Sequence, residues 1–418
     1  MTVRTTTLTN GLRVVSHRMA AVETVSIGVW AHAGARDERT EVNGIAHMLE
    51  HMAFKGTRRR SARAIAEEIE SVGGHLNAYT SREFTAYYAT VLKGDETLAL
   101  DILSDILQHS MFDERELDRE RAVILQEIGQ ANDTPDDVIF DLFQETAFPD
   151  QPIGRPILGT AELVREMPRD ALTNYMGEHY TAGRMVVAAA GNLDHDRLVS
   201  AVEEAFSAIA TDAETAREPA RYAGGDVRQD RELEQVHLTL GFEGVSFSDP
   251  DYFALSVMST LLGGGMSSRL FQEVREERGL AYSIYSFTSS YLDGGLFGVY
   301  AGTGEDEAET VVPVICDILG GLAGTISEDE LKRAKAQIKA GILMSLESTA
   351  SRCEQLARQI LVFGRPLPPD EVSSRIDAIG SDAIDGIARR VFGRTPTFAA
   401  LGPIARVQTF DEIVERLG

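Results

Sequence analysis

The second half of this chain repeats the first, and few sequence features restrict a fold more. Leu117 to Ile128 aligns with Leu331 to Ile342 at an offset of 214 (331 against 117). Gly154-Arg155-Pro156 recurs as Gly364-Arg365-Pro366 at an offset of 210 (364 against 154). Asp170 to Tyr180, followed by a strand pattern ending at Gly191, recurs as Asp382 to Phe392 and a strand ending near Gly402. Offsets this constant mean that one unit of roughly 200 residues, a normal domain size, is present twice. The expected domains are 1–211 and 236–418. Between them, 212–235 is polar, holds Gly224-Gly225 and has no helical apolar stripe, so a linker is expected there.

Each copy mixes strand and helix periods. Val14-Val15 and Thr24 to Ala31 read as strands, and Leu76 to Thr80 with Thr85 to Val91 as a hairpin. In the second copy, Val236 to Phe242, Ser283 to Ser289 and Leu296 to Ala301 play these parts. Runs of helices follow each hairpin. This order predicts an α+β fold of two homologous α/β sandwich domains. In each, helices cover one face of a mixed, mostly antiparallel sheet. At 418 residues and 43% hydrophobic content, the chain can fill two cores.

Chemistry concentrates in His47-Met48-Leu49-Glu50-His51, which reads H-x-x-E-H. Asn43 is the expected N-cap of a helix here, Ile45, Leu49, Met52 and Ala53 its apolar stripe, and Lys55-Gly56 its end. On a helix, His47, Glu50 and His51 project from one face. Neutral imidazoles ligate zinc, and a carboxylate beside a zinc-activated water is a competent general base. Catalytic zinc usually takes a third protein ligand. Asp113 to Glu116 opens a second helix, with acids where the dipole favours them. Glu120 and Glu127 share a face two turns apart, while Leu117, Val123, Ile124 and Ile128 supply its apolar contacts.

H-x-x-E-H followed by a glutamate at 127, 76 residues after His51 (127 against 51), resembles the inverted zincins, the pitrilysin family of zinc peptidases. The run His47 to Thr57 (HMLEHMAFKGT) is similar to the mitochondrial processing peptidase branch. So are Asn77-Ala78-Tyr79-Thr80-Ser81-Arg82-Glu83, Ser268-Arg269-Leu270-Phe271 and Gly279-Leu280-Ala281-Tyr282-Ser283. The resemblance therefore spans both halves. It implies that His47, His51 and Glu127 ligate Zn²⁺, that Glu50 is the base, and that Glu120 orients a ligating histidine. It also implies that Arg275 and Tyr282 reach the substrate carbonyl, where both can stabilise an oxyanion. The strand at Asn77, Ala78, Tyr79 and Thr80 is expected to bind an extended peptide by strand addition. Phe54, one turn beyond His51, is expected to line the pocket for the residue after the cut.

At the offset of 214, Glu120 faces Ala334 and Glu127 faces Gly341, and Leu261 to Gly265 holds no histidine. One zinc per chain follows. The glycine run 263–265 lacks the Gly-Lys-Ser/Thr ending of a phosphate loop and reads as a helix-to-loop transition. Relatives of this length work as dimers around a closed chamber, so the resemblance implies a homodimer whose sites are completed in trans. The alternative is a non-catalytic scaffold or partner-dependent subunit of a processing peptidase-like complex, but every motif residue is present here.

A net charge of −25 excludes a general nucleic-acid binder and favours basic peptides as substrates. Two cysteines, Cys316 and Cys353, exclude a disulfide framework and read as buried thiols. The start of the sequence shows no apolar signal region, and no run approaches a membrane span. The expected location is the cytoplasm, with no membrane partner.

Overall fold

The computed structural model describes residues 3–211 and 217–418. Among them the first half supplies β1 (Val3–Thr7), β2 (Arg13–Arg18), β3 (Thr24–Ala31), β4 (His75–Thr80), β5 (Thr85–Leu92) and β6 (Met185–Gly191). The second supplies β7 (Gly225–Asp230), β8 (Val236–Glu243), β9 (Ala281–Ser290), β10 (Gly295–Thr303) and β11 (Thr397–Gly402). The first sheet runs β1-β2-β6-β3-β5-β4 and the second β7-β11-β8-β10-β9. The fold is α+β, as expected.

The strand registers repeat the duplication. β6 lies parallel to β2 and antiparallel to β3, and β11 lies parallel to β7 and antiparallel to β8. Both late strands end on a left-handed glycine, Gly191 at φ 139° and Gly402 at φ 118°. A Cβ there would stand 2.2 Å from the Thr24 carbonyl oxygen and 2.4 Å from that of Gln235, respectively. Only glycine fits such an exit.

Five helices bear the site, pack on a sheet or repeat one that bears the site: α1 (Ile45–Ala53), α2 (Glu114–Asn132), α3 (Pro135–Ala147), α4 (Glu328–Ser345) and α5 (Thr349–Phe363). α2 and α4 are the pair that the offset of 214 relates. α3 and α5 are equivalent by the same offset (349 against 135). The chain forms two compact units, and these equivalent helices are exchanged between them. One unit comprises 1–130, 155–218 and 344–367; the other comprises 131–154, 219–343 and 368–418. The limits 1–211 and 236–418 thus describe the repeat in sequence, while each compact unit draws on both halves.

In the first unit, Val25, Ile27 and Val29 of β3 pack into the core that contains α1. Trp30 and the small run Ala188 and Ala190 of β6 face Leu356, Ala357 and Ile360 of α5. Small strand residues let the helix approach closely, and the Cys353 thiol reaches the Ala188 carbonyl at 3.2 Å. In the second unit, Phe143 of α3 fills the space that a side chain at Gly241 would need; a Cβ there would lie 2.5 Å from its Cζ. Helices therefore also cover a second face in each unit, beyond the one face expected. β3 has seven consecutive buried residues for that reason.

The expected linker is a further difference. Within 212–235, Gly225–Asp230 forms β7, an edge strand with half-exposed residues, held by its parallel ladder to β11. An edge strand with little burial leaves no apolar alternation to read. Residues 212–216 lie outside the described residues. Both cysteines are buried and unbridged, as expected. Among the described residues no helix is long and apolar enough to cross a membrane.

Candidate metal centre

α1 buries Ile45, Ala46, Met48, Leu49, Met52 and Ala53, so its apolar face is locked into the core. The opposite face presents His47, Glu50 and His51. Asn43 does not cap this helix. The N-cap is Gly44 at φ 94°, with no side-chain cap bond of its own. The orphan donors go instead to Glu38, fully buried nearby: Gly44 N at 2.9 Å, Ala46 N at 2.8 Å and the Asn43 amide at 2.7 Å. Burial pushes the Glu38 carboxyl up to about 7, against the pull of these donors and of Arg155. This cap was missed in the sequence because it lies outside the local spacing that capping rules read.

α2 opens as expected, with the Asp113 carboxylate accepting from Arg115 N at 2.9 Å. Leu117 and Ile124 are buried and Ile128 half-buried, but Val123 is exposed. Glu120 and Glu127 face α1. One Glu127 oxygen lies 3.6 Å from His47 Nε2 and 3.5 Å from His51 Nε2. His51 Nδ1 meets Glu120 Oε2 at 3.0 Å, and the other Glu120 oxygen meets Lys55 Nζ at 2.8 Å.

The fit to a metal follows from these atoms. One ligand atom from each of His47, His51 and Glu127 lies within 4.8 Å of the others, the one such cluster among the described residues. Zinc bonds of about 2.0–2.1 Å in a tetrahedron set neighbouring ligand atoms about 3.3 Å apart, close to the separations here. Burial, then the nearby His51 ring, lowers the His47 imidazole to about 4, so it is neutral at pH 7. A neutral imidazole is the form that ligates. The donor set, two imidazoles and a carboxylate, suits zinc.

Glu50 lies between the histidines, with its carboxyl raised by burial and hydrogen-bonded by Thr80 at the end of β4. β4 is an edge strand, paired on one side with β5. Its residues alternate between faces. Ala78 packs into the core with α1, whereas Tyr79 points to the opposite face. There Trp30 donates to the Tyr79 hydroxyl at 3.3 Å, and that hydroxyl donates to Glu354 at 3.1 Å. Asn77 is exposed, and its amide oxygen accepts from Ala78 N. Phe54 is half-buried, its ring 6.2 Å from that of Tyr87.

Arg275 and Tyr282 belong to the second unit. Arg275 sits on a π-helical segment, Phe271–Glu277, and Tyr282 is the second residue of β9, 74% exposed. The guanidinium lies 4.8 Å from both the Phe271 and the Tyr282 ring centroids. Gly263 ends its helix against the β9 backbone, where a Cβ would stand 2.2 Å from Ser286 N.

Comparison with known proteins matches both halves. Residues 13–161 match the family described as Insulinase (Peptidase family M16), and residues 166–338 match the Peptidase M16 inactive domain. An uncharacterized zinc protease of Streptomyces coelicolor is 41% identical over 96% of this chain and 90% of its own length. A probable mitochondrial-processing peptidase subunit beta of Arabidopsis thaliana is 42% identical over 99% and 81%. The crystal structure of a protease from Helicobacter pylori shares the fold with a TM-score of 0.88 at 23% identity, over 96% of this chain and 99% of that one.

Proposed function

The chain belongs to the M16 family of pitrilysin-type peptidases and is a zinc metalloprotease, and from that premise we propose that it is an endopeptidase acting on unfolded or presequence-like peptides. The observation that carries this reading is the convergence of His47, His51 and Glu127 within 4.8 Å beside Glu50. These three residues are the proposed ligands of one zinc per chain. Bound there, zinc supplies Lewis acidity towards water and the scissile carbonyl.

The remaining roles fall to the chain's own groups. Glu50 takes the proton of the attacking water on its carboxylate and passes it to the departing amine. Burial, which raises this carboxyl, supports that role. Arg275 and Tyr282 donate to the carbonyl oxygen as negative charge develops. The substrate backbone pairs with the free edge of β4 at Asn77, Ala78, Tyr79 and Thr80, which demands an extended, locally unfolded segment. Phe54 lines the pocket after the cut. The acidic balance of the chain supports basic peptides. The active species is a cytoplasmic homodimer enclosing a chamber, with Arg275 and Tyr282 of one subunit serving the zinc of the other.

A basic, unstructured peptide of about twenty residues tests this, with metal content measured on wild type and Glu50→Gln. Zinc in both proteins with cleavage lowered by about 10²–10⁴ in the variant is the expected result. Zinc in both and no cleavage by either would favour the scaffold or partner-dependent reading.

A further inference from the structure

Resting on the metal site proposed above, we propose that Lys55 is a positioning residue for His51, acting through Glu120. As a residue just past α1, Lys55 reads from the sequence as a cation closing the helix. The structure gives it another partner. Its Nζ stands 2.8 Å from Glu120 Oε1, while Glu120 Oε2 stands 3.0 Å from His51 Nδ1. One carboxylate is thus divided between an ammonium and an imidazole. Because the carboxylate is planar, anchoring one oxygen fixes where the other points. Lys55 therefore aims Oε2 at Nδ1. An Nδ1–H donated there leaves the lone pair on Nε2, the atom 3.5 Å from Glu127.

The chemistry of the side chain fits this task. An ammonium is a point charge that addresses one oxygen, whereas a guanidinium forks across both and would draw Oε2 away from the ring. The Glu120 side chain is only 5% exposed, so without Lys55 its charge would be left buried with the His51 ring as partner. The loop does not depend on the ammonium for its position. Lys55 N donates to Met52 O at 3.2 Å, and Gly56 O accepts from Met111 N at 3.1 Å. Thr57 Oγ1 donates to Asp105 at 2.8 Å. Lys55 is itself about a third exposed, so replacing it by methionine leaves no cavity in the core.

The test is zinc affinity, measured by competition with a chromophoric chelator, for wild type, Lys55→Met, Glu120→Gln, the double variant and Glu127→Ala. Lys55→Met is expected to weaken binding by about 10- to 100-fold, the usual effect of losing an outer partner of a ligand. Glu120→Gln should do at least as much, and the double variant should be no weaker than Glu120→Gln alone, since both act through one carboxylate. Metal-free Lys55→Met should unfold at a lower temperature than the metal-free wild type, because Glu120 keeps only the His51 ring as partner, yet remain folded at the temperature of the zinc measurement. Wild-type affinity in Lys55→Met, or losses that add in the double variant, would overturn the inference while Glu127→Ala still abolished binding. Undiminished affinity in Glu127→Ala would instead overturn the metal site itself.

Discussion

His32 shows how strongly one buried contact can set a residue's behaviour. It lies just beyond β3, its ring stacked on Phe84 with centroids 5.4 Å apart, and Arg217 meets its Nε2 at 2.7 Å. Arg217 also holds Asp37 at 2.7 Å, so a cation already occupies the side from which a proton would come. Burial, then Arg217, lowers the imidazole from 6.5 to about 3. The unfolded chain takes up this proton below pH 6.5, but the fold resists it until about pH 3. The contribution of His32 to stability is therefore complete above pH 6.5 and drains away as pH falls through that window. In metal-free protein the urea midpoint should drop on acidification, and His32→Gln should drop less steeply; identical slopes would exclude this residue as a cause. At this scale the sequence shows His47, Glu50 and His51 well, because their pattern is local and the helical period places them on one face. The partners of Lys55 and His32 were illegible, since each lies many residues away and any of numerous charges could have served, while those of Glu38, five to eight residues on, fall outside the spacing that capping rules read.

Among elements, α1 depends on a backbone contact at its start. Gly44 is left-handed, and a Cβ there would meet the Leu158 carbonyl oxygen at 2.8 Å. Gly159 packs as closely, its Cβ position 2.4 Å from the Asn43 carbonyl oxygen. Gly44→Ala combines left-handed strain with this clash, and should cost about 1–3 kcal/mol. It should also weaken zinc binding by displacing His47. A thermal midpoint and zinc affinity unchanged from wild type would show that the helix start relaxes freely. The exchange of α3 and α5 belongs to this scale too. Both were legible as helices, but their hosts were not. An apolar stripe states that a surface will be covered and leaves the covering sheet unspecified. Edge strand β7 was hidden for the opposite reason: its residues are too exposed to alternate.

For the whole molecule, the proposed homodimer makes a quantitative claim. Mixing Glu50→Gln with Tyr282→Phe chains, each nearly inactive alone, should restore about a quarter of wild-type activity. Roughly half of randomly exchanged dimers would then carry one intact site of two. No recovery, with subunit exchange demonstrated by mass, would exclude sites completed in trans.

What the sequence determined by itself is whatever depends on short spacing or on repetition. The duplication, the mixed strand and helix content, and the one face of α1 that bears two imidazoles and a carboxylate all follow from periods of two, 3.6 and about 200 residues. Resemblance extended this to Glu120, Glu127, Arg275 and Tyr282. Tertiary structure alone decided which sheet each equivalent helix covers, which carboxylate closes the start of α1, and which oxygen of Glu120 faces His51. Those choices are made between groups beyond the reach of local spacing, from six and eight residues at Glu38 to 69 between His51 and Glu120, where burial and charge pairing select one partner among many and local pattern carries no information about the winner.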